Sequence, residues 1–391
     1  MANPLVALAP RRRLLALVGV LVIGFLLVRP VGAHLRATGL LLRFAAADPA
    51  TAPWLARASA YDVDEEGSSL ETTMGPTRAR LYVPRGVGDP PAVIIVPGVH
   101  RLGVDEPRLQ RFARSIASSG VAVYTPEIKA LTEYRIEPAS IGTIGEAAKA
   151  LAQQRHKARV GIMGMSFAGG LALLAAADAR YAPAIAFVVA VGAHDDLARV
   201  ARFFATNEIP APDGHPVHMK AHDYGTAVLL CDHAEEFFSA EDAPGARDAL
   251  KHWLWGEEGE ARTRAAKLTE ASRKKLGVIF ERKTGSELAP DILRVIDGQQ
   301  AAMREVSPRG HLAGVRVPIF LLHGAGDSVI PPSETSWLAT EVPAGYLKNA
   351  LISPAVQHVE LQGEPSVSDR WALVHFMAQI LEEAEDETRA F

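Results

Sequence analysis

One serine stands at the junction of two very different segments of the chain. Ser166 lies in the stretch Gly164-Met-Ser-Phe-Ala-Gly169-Gly170, after the hydrophobic run RVGIMGM and before the helix-like run LALLAAADA. Small neighbours allow a sharp backbone turn that leaves a hydroxyl exposed, as a nucleophile elbow requires. Ala168 takes the position of the second glycine in the G-x-S-x-G pattern. A serine at such a turn can instead cap the helix. The surrounding pattern favours a nucleophile.

Three histidines close together raise a second kind of chemistry. His215, His218 and His222 lie in the stretch GHPVHMKAHDYG, where the last two are spaced i, i+4 and could share a metal ion. The stretch lacks the glutamate of the H-E-x-x-H motif, so it is not the motif of a zinc peptidase. We predict surface histidines and no metal site. The chain also has no P-loop and no G-x-G-x-x-G after a strand, so we predict no nucleotide cofactor.

Strand-like and helix-like segments alternate around Ser166, which predicts a parallel α/β sheet flanked by helices. The strand-like segments are near-continuous apolar runs, as expected where helices cover both faces of a sheet. They cover residues 79–84, 92–98, 121–126, 159–165, 184–193, 317–326 and 349–356.

A long interval without a convincing strand interrupts this alternation. It contains several helical patterns, and we interpret residues 198–308 as a helical cap inserted into the α/β core. The core then consists of residues 61–197 and 309–391. An Ala/Pro-rich linker over residues 34–60 precedes it, after an N-terminal segment over residues 1–33.

Together, the serine turn and the alternating segments resemble the α/β-hydrolase superfamily. Within it the chain is similar to the serine enzymes related to dienelactone hydrolases and bacterial esterases. The resemblance extends over most of the chain outside the N-terminal segment and the cap. It implies an α/β-hydrolase fold, with a mostly parallel sheet and an inserted helical cap, and the chain order nucleophile, acid, histidine.

Asp327 is the acid that this resemblance implies. It follows an apolar strand, and its stretch HGAGDSVIPP is similar to the acid loop of the family. A carboxylate there would hold the histidine ring in one tautomer. An ordinary turn aspartate would also suit the Gly-Asp-Ser sequence. Asp195 and Asp196, after the preceding strand, are the fallback position for the acid.

Two histidines follow Asp327 in the chain, and one of them lies where the family places its base. His358 comes just after the last predicted strand and before the final helix. His375 falls inside that helix, on which Leu373, Phe376, Met377 and Ile380 form the predicted buried stripe. We therefore predict His358 as the general base.

The family also implies an oxyanion hole made of two backbone N–H groups. One belongs to the loop after the AVIIVPG strand and the other to the residue after the nucleophile, which nominates Val99 and Phe167. His100 and Arg101 follow at once and could line the pocket or be solvated loop residues.

The composition gives no sign of a nucleic-acid partner and excludes a disulfide framework. The chain has 391 residues, a formal net charge of −4 and 48% hydrophobic residues, which is ordinary globular composition with no electrostatic sign of a nucleic-acid partner. Its single cysteine, Cys231, excludes an internal disulfide framework.

The N-terminus predicts contact with a membrane. Arg11, Arg12 and Arg13 precede the uncharged apolar stretch Leu14–Val28, and Val31–Ala33 could be a cleavage site. Its length is between that of a signal-peptide core and that of a full membrane span. We predict a signal peptide or membrane anchor and a location in the cell envelope.

The resemblance implies a serine hydrolase that cleaves a small-molecule carboxylic ester through an acyl-enzyme. A serine peptidase or thioesterase would use the same triad. Dienelactone hydrolase itself has cysteine as its nucleophile, whereas this chain has serine. A non-catalytic, membrane-tethered binding protein of the same fold is the alternative from another class.

Overall fold

A central sheet of eight strands organises the part of the chain that the computed structural model describes, residues 29–46, 51–73, 75–283, 287–357, 360–361 and 365–389. In chain order the strands are β1 (Val63–Thr72), β2 (Gly75–Pro84), β3 (Ala92–Val96), β4 (Ala122–Pro126), β5 (Val160–Met165), β6 (Ile185–Val191), β7 (Glu208–Pro210), β8 (Pro216–His218), β9 (Ile319–Gly324), β10 (Leu347–Ser353), β11 (Val356–Gln357) and β12 (Glu360–Leu361).

The strand order across the large sheet is β1-β2-β4-β3-β5-β6-β9-β10. The pairs β1–β2 and β2–β4 are antiparallel, and every pair from β4 to β10 is parallel. The predicted mostly parallel sheet is therefore confirmed. Because the carboxyl ends of parallel strands share one edge, the residues that follow β3, β5, β6, β9 and β10 gather at that edge.

Helices cover both faces of the sheet. They are α1 (residues 29–45), α2 (Trp54–Ala58), α3 (Pro107–Ala117), α4 (Lys129–Thr132), α5 (Pro138–Gln154), α6 (Phe167–Ala177), α7 (Leu197–Thr206), α8 (Asp223–Asp232), α9 (Ala234–Phe237), α10 (Ala243–Leu254), α11 (Glu258–Ala265), α12 (Glu270–Phe280), α13 (Ala289–Glu305), α14 (Ser333–Glu341) and α15 (Val367–Arg389). Helices α7 to α13 and the β7–β8 hairpin lie between β6 and β9, in the interval predicted as an inserted helical segment.

The apolar strands are continuous runs because two hydrophobic clusters enclose the sheet. In β3, Ile94 and Val96 belong to the cluster that includes α5, α6 and the inserted helices. Val93 and Ile95 belong to the cluster formed with α1, α3 and α15. Successive side chains of a strand point to opposite faces, so burial on both faces removes the alternation of polar and apolar residues.

The first strand was not among the predicted strands. In β1 only Leu70 is buried, and the remaining side chains are partly or fully exposed. The strand forms one edge of the sheet and pairs with β2 alone. A solvated edge strand needs little apolar surface, so its sequence carries little of the pattern that marks a strand.

The segment predicted as a linker, residues 34–60, contains helices. Within α1, Ala33, Ala37 and Leu40 are fully buried at helical spacing. The helix packs against α15, where His34 Nε2 lies 3.0 Å from His375 Nδ1. Small alanines allow the two helices to approach closely, and this packing surface exists only in the tertiary structure.

The predicted buried stripe on α15 is confirmed. Its four residues are each at most 4% exposed: Leu373, Phe376, Met377 and Ile380.

The apolar stretch Leu14–Val28 lies outside the described residues. Among the helices that the structure does describe, none is both long and apolar enough to cross a bilayer.

Candidate active site

Ser166 occupies a strained turn between β5 and α6. Its backbone has φ 55° and ψ −134°, a combination that residues other than glycine adopt rarely. The side chain accepts no hydrogen bond from the N–H groups of α6, so the Ser166 hydroxyl does not cap this helix. Its backbone N–H donates to the carbonyl of Val191 at 2.7 Å, which ties the turn to β6. Strain of this kind persists where the surrounding structure enforces it, and it is common at functional sites.

The glycines around Ser166 are required by close packing. A Cβ atom at Gly164 would lie 2.5 Å from the Ala168 carbonyl oxygen and 2.7 Å from Gly169 Cα, both backbone atoms. At Gly170 a Cβ atom would lie 2.4 Å from the His194 ring. The strand, the turn and the helix can therefore approach one another only with these small residues in place.

We expect Gly164→Ala to destabilise the protein by about 2–3 kcal/mol, because the new methyl group meets backbone that cannot move aside cheaply. Urea denaturation followed by circular dichroism measures this loss. Gly298→Ala is the matched control, since a Cβ atom there has no neighbour within 4 Å in the middle of α13. That change should stabilise by about 0.5–1 kcal/mol through helix propensity. Equal stability of the two variants would contradict the elbow packing.

Asp327 lies in the loop that follows β9 and is completely buried. Its Oδ1 accepts the backbone N–H groups of Val329 at 2.9 Å and Ile330 at 3.0 Å, so one carboxylate oxygen shapes the turn. Its Oδ2 lies 3.4 Å from His323 Nε2, whose closer partner is the Ile330 carbonyl at 2.8 Å. Strands β5 and β9 are two apart in the sheet, so Ser166 and Asp327 follow strands about 10 Å apart. A single imidazole could bridge that gap.

The fallback acids lie in a different environment. Asp195 Oδ2 accepts from Arg199 at 2.8 Å, and Arg199 also donates to Glu334 at 2.6 Å. Asp196 caps α7 by accepting from the N–H groups of Ala198 and Arg199. Asp195 is thus linked through Arg199 to Glu334 of α14, and Asp196 holds the first turn of α7.

Titration also argues against Asp195 as the orienting acid. Burial raises the pKa of Asp195 to about 7, and the neighbouring Glu334 carboxylate raises it as well, against the opposing effect of Arg199. An acid with a pKa of about 7 is protonated in about half of the molecules at pH 7, and the protonated form cannot balance a charged imidazolium ring. The choice of Asp327 as the acid stays a prediction.

His358 lies outside the described residues, so its prediction as the base stays a prediction. Gln357, the residue before it, belongs to β11 and follows β10, the neighbour of β9 in the sheet. His375, the rejected alternative, is an exposed residue of α15 that contacts His34. It therefore lies on the helix packing surface described above, away from the cavity beside Ser166.

The two residues predicted to supply the oxyanion hole, Val99 and Phe167, line the same cavity as Ser166. A Cβ atom at Gly98 would lie 3.3 Å from Ser166 Cβ, which shows how closely the loop after β3 approaches the turn. Val99, the next residue, is buried, and Phe167 is the first residue of α6. The first N–H group of a helix has no acceptor within the helix, and the helix dipole favours negative charge there.

A cavity of about 420 Å³ opens beside Ser166. It is lined by Phe44, Pro97, Gly98, Val99, His100, Gly103, Glu106, Arg108, Leu109, Phe112, Met165, Ser166, Phe167, His222, Tyr224, Leu254, Ser328 and Val329. His100 is thus a wall residue, and burial lowers its pKa, which leaves the ring neutral at pH 7. Arg101 is not among the wall residues and instead lies over Trp255, 5.2 Å from the ring centre.

The three clustered histidines occupy separate positions. His215 precedes β8, His218 lies in it 3.6 Å from Glu208, and His222 caps α8 by accepting from the N–H of Tyr224. Among the described residues, no group of three or more His, Cys, Asp or Glu side chains is arranged to hold a metal ion.

Sequence reasoning missed most wall residues of the cavity, among them Phe44 and Tyr224. His222, predicted to lie on the cap surface, is exposed and also lines the cavity. Phe44 comes from α1, in the segment predicted as a linker, and Tyr224 and His222 come from the start of α8. No local motif marks any of them, because only the packing of α1 and α8 against the core brings them to Ser166.

The mostly parallel sheet, the strand–serine–helix turn and the inserted helices together define the α/β-hydrolase fold, as the sequence resemblance implied.

No protein-family model matches the chain, and no curated protein sequence is similar to it. Solved structures are similar in fold. An esterase from Pyrobaculum calidifontis is 17% identical, with 83% of this chain and 87% of that one covered and a TM-score of 0.45. A 2,6-dihydroxy-pseudo-oxynicotine hydrolase is 15% identical, over 82% of this chain and 67% of its own, with a TM-score of 0.42.

An acylaminoacyl peptidase from Pyrococcus horikoshii is 11% identical, over 82% of this chain and 41% of its own, with a TM-score of 0.45. The present chain thus spans about two fifths of that peptidase.

Proposed function

We propose that this protein is a serine hydrolase that cleaves carboxylic esters through an acyl-enzyme. The observation that carries the proposal is Ser166, held at a positive φ with no helix-capping bond beside a cavity of about 420 Å³. A nucleophilic serine needs a hydroxyl that is accessible and is not used to cap a helix. Ser166, on a strained turn beside a cavity, meets both requirements.

In the proposed reaction the Ser166 hydroxyl attacks the ester carbonyl carbon while His358 takes its proton. Negative charge develops on the carbonyl oxygen, where the N–H groups of Val99 and Phe167 would stabilise it. His358 then gives the proton to the departing alcohol, which leaves the acyl group on Ser166. Water, deprotonated by His358, attacks this acyl group, and the acid is released as Ser166 regains its proton. Asp327 would hold the histidine in the required tautomer throughout.

The walls of the cavity support an ester of apolar character. Phe44, Leu109, Phe112 and Met165 present apolar surface. The charged wall residues Glu106 and Arg108 pair with each other at 2.7 Å, and Glu106 also caps α3. Charges that are already paired inside the protein offer little attraction to a charged substrate, so we infer a neutral ester with an apolar acyl or alcohol group.

Labelling by a fluorophosphonate probe tests this function, because only an activated serine reacts with it. We expect full-length protein to be labelled on Ser166, as mapped by mass spectrometry, and His358→Ala to lose the label. His375→Ala is the matched control and should be labelled normally, since it changes a histidine at the α1–α15 contact. A panel of esters, thioesters and peptide amides then identifies the preferred bond. Folded wild type that neither reacts with the probe nor cleaves any member of the panel would indicate a binding protein.

We also propose that the protein is anchored in, or exported through, the membrane by its N-terminal segment. The motivation is the order of Arg11–Arg13 and the apolar stretch Leu14–Val28. Carbonate washing of membranes from expressing cells tests anchoring. An anchored protein stays in the pellet, whereas release into the wash, or a mature N-terminus beyond Ala33, contradicts anchoring.

A further inference from the structure

The start of α8 contacts both loops that carry the proposed catalytic groups. The backbone N–H of His222 donates to the Ser328 carbonyl at 2.8 Å, in the loop that contains Asp327. Two residues later, the Tyr224 hydroxyl donates to the Val99 carbonyl at 2.6 Å, in the loop after β3. The inserted helical segment is therefore bonded to opposite sides of the cavity at Ser166.

Tyr224 is held firmly enough to position what it contacts. His222 Nδ1 accepts from the Tyr224 N–H at 3.1 Å, which fixes the first turn of α8. Burial raises the pKa of Tyr224 well above its ordinary value, so the phenol stays protonated and remains a donor. Its hydroxyl is thus a fixed hydrogen-bond donor, attached through α8 to the opposite loop.

The bond from Tyr224 restricts the direction of the Val99 N–H. Gly98, on one side of that N–H, lies against Ser166, since a Cβ atom added there would be only 3.3 Å from Ser166 Cβ. The Val99 carbonyl, on the other side, is held by the Tyr224 hydroxyl. With both flanking groups fixed, rotation about the Val99 backbone is limited. An oxyanion donor must be aimed before the reaction, because reorientation during the reaction would add to the barrier.

We propose that Tyr224 is a positioning residue, supplied by the inserted helical segment, that aims the Val99 N–H at the oxyanion. The inference rests on the proposed function. It assigns the insertion a role in the chemical step in addition to covering the cavity. Tyr224 acts through the loop backbone and need not touch the reacting atoms.

The test compares Tyr224→Phe with wild type in ester hydrolysis, with the concentration of active sites titrated by the fluorophosphonate probe. Loss of the hydrogen bond from Tyr224 to Val99 should weaken stabilisation of the oxyanion but not binding of the substrate. We therefore expect kcat to fall about tenfold and KM to stay unchanged. Inhibition by a trifluoromethyl ketone is the second readout. The ketone adds to the serine and forms a tetrahedral oxyanion, so its Ki should rise by a similar factor.

Tyr82→Phe is the matched control. Tyr82 is fully buried in β2, and its hydroxyl has no hydrogen-bond partner among the described residues. This variant removes a buried phenol hydroxyl without altering the loop, so kcat and Ki should equal those of wild type. Thermal unfolding of both variants reports any general loss of structure.

Three outcomes overturn the inference: an unchanged kcat in Tyr224→Phe, an equal loss in Tyr82→Phe, or a rise in KM without a change in kcat. If Ser166→Ala is inactive while Tyr224→Phe matches wild type, the proposed function stands and the inference fails. If wild type itself cleaves no ester and takes no probe, the proposed function fails and the inference with it.

Discussion

Ser166→Ala should lower kcat for ester hydrolysis by about 10⁵-fold, because removal of the nucleophile disables a catalytic unit whose members act together. Labelling by the fluorophosphonate probe should disappear as well. The fold should be retained, since the Ser166 side chain makes no capping bond to α6 and the new methyl group is smaller than the side chain it replaces in the turn. Alanine also keeps the backbone N–H that donates to Val191.

The strained backbone at position 166 makes a second measurement informative. Alanine cannot relieve a positive φ, so the unfolding free energy of Ser166→Ala should stay near that of wild type. Ser140→Ala, at a buried serine of α5 whose hydroxyl has no partner among the described residues, is the matched control for activity. Retained activity in Ser166→Ala would refute the role of this serine.

Asp327→Asn should lower kcat by about 10³–10⁴-fold while the loop keeps its shape. An asparagine oxygen can still accept the N–H groups of Val329 and Ile330 that Asp327 Oδ1 accepts now. An amide in place of the second oxygen would favour the wrong histidine tautomer and could not balance the imidazolium charge. Steady-state kinetics and urea denaturation together distinguish this role from that of a turn aspartate.

Asp195→Asn separates the two candidate positions for the acid. Its amide oxygen can still accept from Arg199, but the carboxylate charge beside Arg199 is lost, so its effect should fall on stability rather than on turnover. A large loss of kcat in Asp195→Asn, with Asp327→Asn close to wild type, would transfer the acid role to the loop after β6. Similar modest losses in both variants would indicate that neither carboxylate orients the base.

Much of the central sheet could be predicted from the sequence, because strands buried on both faces must be continuously apolar. β3, β5, β6 and β9 each have this pattern. β1 lacked it, since one side of that strand has no neighbour in the sheet and its side chains are largely exposed. The pattern of apolar residues reflects burial, so an exposed edge strand cannot be recognised from it.

The serine turn was predictable for a similar reason. Gly164 and Gly170 lie where a Cβ atom would overlap neighbouring atoms, so steric limits impose their identity on the local sequence. The loop of Asp327 likewise has a local signature, because its turn uses the carboxylate and adjacent backbone N–H groups.

The residues that surround the serine were decided by tertiary structure. Phe44 reaches the cavity because the alanine-lined face of α1 packs on the core, and Tyr224 reaches Val99 because the start of α8 lies against the loop after β3. The residues next to Phe44 and Tyr224 in the sequence form no motif that would distinguish these two from other aromatic residues of the chain. The position of the serine turn could be read from the sequence, since that turn depends on backbone sterics over a few residues. The walls of its pocket depend on contacts between distant segments, which only the folded chain brings together.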